Sequence, residues 1–530
     1  MKLSRRRLFS LARDSVVLTT ALTGFHFIFR SASAAIPADI NKRLEHTYAL
    51  REKLARKQGL LQVPNHINNG DEARYPELFS CFSKGLPHNH IGDVDKKAYK
   101  KLLHAFSTGK PEDFETVPVG GPRLLANPQG AIALQLEGAD SHHLSMPPAP
   151  EFASEEQAAE MAELYWHALC RDIPTSLFDK EKQTIAAISD LKQFDRFKDI
   201  DSTRLFRGET PGDRVGPYFS QFLWKTIPYG AHEILQKYNS PRIGENFMVK
   251  PEICLQIQNG AYAQEDLRFE TSTRYIRTGR DIGEWVHIDY PYQGFLNAAL
   301  ILLSYGDNAL QLDHPYRDSK TQAGFVTLGG PDILSAVAHA SNAALKAAWY
   351  QKWLVHRRLR PEAFALCVHN HITGRKEYPI HQKLLECDAI KQVHNKTGFY
   401  TLPMAYPEGS PTHPSYPAGH AVIAGACMTV LKAYFNEDFV IPDPVEAYDN
   451  GFTIREYRGP DLRVGDELNK LASNISIGRD FAGLHWRSDA TEGMKLGEDV
   501  TIRLLQDRKE TYNESFTYQF TRLDGTKVII

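Results

Sequence analysis

Arg479 and His485 stand six residues apart in the segment Gly478–Asp489, GRDFAGLHWRSD, with Gly483 between them. Two upstream segments carry partners for them: Lys352–Glu362, KWLVHRRLRPE, and His413–His420, HPSYPAGH. Together they supply one lysine, two arginines, a glycine N–H and two or three imidazoles. Ammonium and guanidinium groups neutralise an oxyanion, and an imidazole beside it can act as ligand, nucleophile or acid–base group. The set reads as a site for a tetrahedral oxyanion, with phosphate or vanadate as the natural occupant.

Each segment also has an ordinary reading. Trp349, Lys352 and His356 share one helix face at i, i+3 and i+7, and Arg360 is pushed out of the helical region because Pro361 follows it. Lys352 on the helix and Arg360 on its exit can then converge, although a basic helix end stabilised by the dipole would look the same. Pro417-Ala418-Gly419-His420 opens an apolar helix whose first N–H groups make an anion site, or simply a helix start with a surface histidine. Arg479 and His485 would lie roughly 240° apart on an unbroken helix. Gly483 is therefore expected to separate a helix ending near Arg479 from one starting near His485. Asp489, at i+4 from His485, can take the Nδ1 proton and leave Nε2 free; an ion pair to Arg487 or Arg479 is the alternative. Three such segments in one chain, in this order, are a stronger signal than any one alone.

The elements that must carry these residues are helical. Ser154 and Gln157 form a capping box ahead of 155–172. Pro331 starts a helix running to about His356, with Ile333, Leu334, Val337, Ala338, Ala344, Leu345 and Ala348 turned inward. Pro417 starts another, and Gly419–Tyr434 is apolar all round, as a deeply buried helix must be. Thr517–Ile530 reads as a short hairpin turning at Asp524-Gly525. The sequence predicts an all-α, mainly helical fold built from bundles. It forms one large domain over 36–530, with the anion site in its C-terminal half, about 330–505.

Composition narrows the function classes. The 530 residues are 42% apolar and 24% charged with net charge -2, which is ordinary globular composition and points away from nucleic acid or an acidic membrane as partner. The six cysteines form no CxxC, which removes zinc-ribbon, thioredoxin-type and c-type haem readings. They read as buried small apolar side chains, with one or two disulfides left open for an exported protein. Residues 1–35 have the anatomy of a twin-arginine signal: Arg6-Arg7-Leu8-Phe9, an apolar stretch Val16–Phe29, and Ala32-Ser33-Ala34 for cleavage. The expectation is a periplasmic or secreted protein with no membrane segment after signal removal.

The three site segments resemble the vanadium-dependent haloperoxidases, which share a helical core and anion site with the type-2 phosphatidic acid phosphatase superfamily. The stretches KGLPH (84–88), QLEGADSH (135–142), FRGETPGD (206–213), GPYFSQF (216–222) and QNG (258–260) are similar to algal-type bromoperoxidases and their bacterial relatives. By matching position, the resemblance implies a vanadate cofactor whose oxygens contact Lys352, Arg360, Arg479 and the Gly419 N–H. It implies His485 as the single vanadium ligand, His420 as acid–base residue, and Trp349 and His413 on the halide side. Asp489 and Asp289 would support the histidines. Hydrogen peroxide and bromide or iodide would be the substrates, with a small organic acceptor and a homo-oligomeric assembly as further partners. One departure stands out: the family usually has serine two residues before the acid–base histidine, and here it is Ala418. The missing bond is worth roughly 1.5–3 kcal/mol, and Ser415 or water is the expected substitute. Two other readings remain: an exported acid phosphatase with His485 as nucleophile, and a scaffold that only binds oxyanions.

Overall fold

Residues 36–530 are described by a computed structural model; the twin-arginine segment lies outside them. Seven helices frame the site: α1 (Glu155–Cys170), α2 (Gly279–Trp285), α3 (Gly330–Tyr350), α4 (Pro361–Ile372), α5 (Gly419–Tyr434), α6 (Val464–Phe481) and α7 (Arg487–Lys509). Strands are confined to three antiparallel pairs: β1 (Ile227–Tyr229) with β2 (His232–Ile234), β3 (Val445–Ala447) with β4 (Ile454–Glu456), and β5 (Gln519–Thr521) with β6 (Lys527–Ile529). The last is the expected hairpin, turning at Gly525 with φ +84°. The other two pairs are three residues a side, too short to show alternation in sequence.

The core is centred on α5. Its residues are buried from Ala421 to Tyr434, as its all-round apolar sequence requires. Glycines let α7 lie directly against it. A Cβ at Gly425 would stand 2.0 Å from the Met494 carbonyl oxygen, and one at Gly497 would stand 2.0 Å from that of Val422. Only bare backbone fits at that separation. The crossing brings the start of α5 to the start of α7, where Ala418 N–H donates to the Asp489 carbonyl at 3.0 Å. Alanines do the same for α3: its buried face runs through Ala336, Ala340, Ala343 and Ala347. Leu334, Ala338 and Leu345, expected inward, are only half-buried, because small side chains permit the closer approach to α5.

Local details depart from expectation in instructive ways. Ser154 caps α1 by accepting from Gln157 N–H at 3.1 Å, but Gln157 does not reach back; its Oε1 accepts from Arg358 instead. Pro417 does not begin α5: Ala418 is the N-cap and Gly419 the first helical residue. The helix begun at Pro331 does reach His356, but Gln351–His356 is a widened π turn. It ends at Arg357 in a left-handed conformation, φ 42°, where the Arg357 N–H donates to the Lys352 carbonyl. Such widened turns recur at functional sites. All six cysteines are unpaired and buried, so the disulfide option does not materialise.

Candidate active site

The widened turn aims Lys352 inward. Its residue is fully buried, and Nζ donates to the carbonyls of Pro414 and Ser415 at 2.7 and 2.8 Å, leaving one N–H for another acceptor. Arg360, at the N-cap of α4, is 1% exposed and donates from Nε to the His413 carbonyl at 3.0 Å. Its Nη1 reaches the Leu484 carbonyl at 2.8 Å and His485 Nε2 at 2.9 Å; its Nη2 reaches His413 Nδ1 at 3.0 Å. Arg479, in the last turn of α6, is 5% exposed and donates from Nη1 to the Val286 carbonyl; its buried Nε has no partner among the described residues.

None of these three cations forms an ion pair with a carboxylate among the described residues. Several other buried cations are neutralised: Lys84 pairs with Glu362, Lys470 with Glu467, and Arg487 with Glu163. Arg171, also fully buried, forms no ion pair among the described residues but stands apart from this cluster, donating from Nη2 to the Pro403 carbonyl. Asp480, next to Arg479, does not compensate it. Its carboxyl makes no hydrogen bond, and burial raises its pKa far above the usual carboxylate range. Burial first, and then Arg360, push the Lys352 pKa well down; burial lowers that of Arg360 to about 10. A buried cation without a partner costs several kcal/mol, so three side by side call for an anion.

His485 lies between Gly483, φ +85°, and the first residue of α7. A guanidinium can only donate, so the Arg360 contact makes Nε2 the acceptor and places the imidazole proton on Nδ1. Nδ1 then donates to Asp489 Oδ2 at 2.8 Å. The i+4 reading therefore holds, and Asp489 pairs with neither Arg487 nor Arg479. Its other oxygen accepts from Arg358 at 2.9 Å. Burial works against the charge of Arg358, but Asp489 and Glu160 overturn it and hold its pKa above the usual value. Burial, with Arg360 next, drives the His485 pKa well below its usual range, which keeps the ring neutral and Nε2 unprotonated, its lone pair accepting from Arg360.

His420, in the first turn of α5, is bonded through Nε2 to Asp289 Oδ1 at 2.9 Å. Its side chain is 23% exposed, so it faces the open side of the site. The Gly419 N–H finds no acceptor among the described residues, and a Cβ there would lie 3.5 Å from the Trp349 ring. Trp349 and His413 stack at a tilt, centroids 4.8 Å apart. The His413 pKa is also held far down, by burial and then Lys352. Ser415 does not replace the absent serine at 418: its hydroxyl donates to Asp489. The Lys352, Trp349 and His356 face does not survive intact, because the π turn rotates His356 onto Tyr416, rings 4.8 Å apart.

Vanadium-dependent bromoperoxidase from Corallina officinalis is 32% identical, over 93% of this chain and 100% of its own length. The Ascophyllum nodosum enzyme of the same name is 33% identical, over 93% of this chain and 94% of its own. The chain belongs to the vanadium-dependent bromoperoxidase family. Its fold is similar to that of the homohexameric second vanadate-dependent bromoperoxidase of Ascophyllum nodosum, with TM-score 0.88 and 30% identity over 96% of this chain and 94% of that one. A family model described as the VCPO second helical-bundle domain matches residues 332–514. In this family member the donor set fits vanadate: three unneutralised buried cations, the orphaned Arg479 Nε, a helix-start N–H and an imidazole whose lone pair faces them.

Sequence reasoning missed the support behind His485. Arg358 donates to Ser488, Asp489, Gln157 and Glu160, at 2.7 to 2.9 Å. Glu160 in turn accepts from Ser488 N–H at 2.8 Å. The one available signal was the run Arg357-Arg358-Leu359-Arg360, which does not say which arginine faces which way.

Proposed function

We propose that this chain oxidises bromide and iodide with hydrogen peroxide to hypohalous acid, at a vanadate held by Lys352, Arg360, Arg479, the Gly419 N–H and His485. The observation that carries the reading is the cluster of three buried cations with no carboxylate partner around a neutral imidazole. Vanadate, when bound, supplies a Lewis-acid centre that keeps its oxidation state. Lys352, Arg360 and Arg479 neutralise its oxygens, and they would do so strongly in a site this dry. Asp489 keeps the His485 proton on Nδ1, so that Nε2 serves as the ligand atom. His420, with Nε2 committed to Asp289, has Nδ1 available to take a proton from incoming hydrogen peroxide. Trp349 and the neutral His413 give the halide side a polarisable wall without a competing charge.

The acid phosphatase alternative, with His485 as nucleophile, is not favoured: relatives aligned over nearly the whole chain are bromoperoxidases. The homohexameric neighbour supports self-association of this chain as well. Arg6-Arg7 and the apolar stretch behind it support twin-arginine export to the periplasm or beyond.

Purified protein reconstituted with orthovanadate should gain peroxide-dependent bromide and iodide oxidation, and its unfolding temperature should rise with vanadate. His485→Ala should lose both. Phosphomonoester turnover without halide oxidation would reverse the conclusion.

A further inference from the structure

The segment FRGETPGD (206–213) takes no part in the site above, yet it is held rigidly. Asp213 is buried, accepting from Thr210 N–H and Ser473 Oγ, both at 2.8 Å. A Cβ at Gly208 would stand 2.4 Å from Ser473 Oγ. This segment and the start of α7 enclose a cavity of about 230 Å³. Five arginines line it, Arg196, Arg204, Arg207, Arg214 and Arg487, against two carboxylates, Asp199 and Glu209.

Two of the five guanidinium groups are held by carboxylates among the described residues. Arg487 is committed to Glu163, with its Nη1 on the Arg207 carbonyl at 2.9 Å. Arg196 leans on Glu156 at 3.3 Å and Glu209 at 3.8 Å, and its Nε is unpartnered. Arg204, Arg207 and Arg214 form no ion pair among the described residues. Arg207 rests on the Tyr218 ring, 4.9 Å from its centroid, and gives only Nη1, to the carbonyls of Asp213 and Pro217. The side chains of Arg204, half-buried, and Arg214, exposed, make no hydrogen bond among the described residues. Three guanidinium groups without ion-pair partners, around one small concavity that Asp199 and Glu209 also line, leave a net positive potential where an oxyanion could be gripped from several sides.

We propose that this cavity is a second anion site, on the outer side of Arg487, that takes a small tetrahedral oxyanion of the sulfate or phosphate kind. Its volume is below that of an ordinary organic-ligand pocket. An adjoining cavity of about 150 Å³ shares Gly208, Glu209 and Arg487 and adds Ile477, Met494 and Leu523. An anion carried on a short apolar group would extend into it.

The test is calorimetric titration of protein loaded with vanadate and then freed of excess by dialysis, at low ionic strength, once with inorganic sulfate and once with phenyl sulfate. Vanadate retained at His485 removes that site from the measurement, and removal of the excess leaves the second site free. One saturable site per chain is expected, weakened at least tenfold in an Arg204→Ala/Arg214→Ala double variant whose vanadate content is unchanged. Both arginines are unpaired, so the variant should fold. Equal affinity for the two probes identifies a free ion as the ligand; tighter phenyl sulfate identifies an ester. Should the protein not take up vanadate, sulfate binding must still lose this site in the double variant, so the two readings fail separately. No saturable binding, or equal binding by the double variant, overturns the proposal. A variant that changes only the oligomeric state assigns the arginines to an interface between chains and overturns it too.

Discussion

Asp489→Asn tests the proposal that His485 is the vanadate ligand most directly. Asp489 is fully buried, and both oxygens are engaged. Oδ2 accepts from His485 Nδ1 at 2.8 Å, Trp486 N–H at 3.2 Å and the Ser415 hydroxyl, and Oδ1 accepts from Arg358 at 2.9 Å. Every neighbour is a donor. An asparagine offers one acceptor oxygen and one NH2, so one side must face donor against donor. If the oxygen stays towards His485, Arg358 loses one of its two carboxylate partners, keeps Glu160, and has Nη1 facing the new NH2. If it turns to Arg358, the NH2 confronts Nδ1–H, and the imidazole can respond only by moving its proton to Nε2. That proton would occupy the ligand lone pair and meet Arg360 Nη1, now 2.9 Å away. Breaking a buried charge pair costs about 3–5 kcal/mol of stability. Loss of a partner behind a metal ligand costs about 10–100-fold in metal affinity. Calorimetric titration with orthovanadate measures the second quantity without needing turnover, and denaturant unfolding of the vanadate-free protein measures the first. A variant with vanadate affinity within about twofold of the parent and with unchanged stability would refute the assignment of tautomer and ligand atom, because one of the two must suffer whichever way the asparagine turns.

Two further substitutions separate the site from its frame. Ala418 is the N-cap of α5 and offers no side-chain bond. Ala418→Ser should therefore raise the unfolding temperature through a new cap worth about 0.5–2 kcal/mol, or tighten vanadate binding by about 10–150-fold if the hydroxyl turns to the anion; no change in either measurement would contradict the description of this helix start. His287 makes a different prediction. Burial alone would lower its pKa, but bonds to Glu284 at 3.2 Å and Glu408 at 2.8 Å prevail and raise it from 6.5 to about 9. Because the folded value exceeds the unfolded one, its stabilisation is complete below pH 6.5 and disappears as pH rises through about 9. The shift corresponds to roughly 3 kcal/mol. Denaturant midpoints should fall across that window in the parent protein, and His287→Gln should remove this component of the fall.

Much of this protein could be read without coordinates. The 3.6-residue pattern and the apolar run 419–434 determined a helical bundle with one deeply buried helix, since nothing but an interior position tolerates apolar residues on every side. Gly483 between Arg479 and His485 determined a break, because the two side chains could not otherwise share a face. The i+4 spacing placed Asp489 within reach of His485. What the sequence could not decide was which of several equivalent groups faces the anion. Arg357, Arg358 and Arg360 are alike in type; in the folded chain Arg357 pairs with Glu72 at 2.8 Å, Arg358 holds Asp489, and Arg360 turns to His485. That partition depends on a π turn, a left-handed arginine and carboxylates some 200–290 residues away along the chain, at Glu160 and Glu72. Nor could periodicity reveal that Ser415 is committed to Asp489. Local spacing fixes which residues can meet. Only the packing of α7 against the glycines of α5 decides which charges are neutralised by the protein and which are left for a ligand.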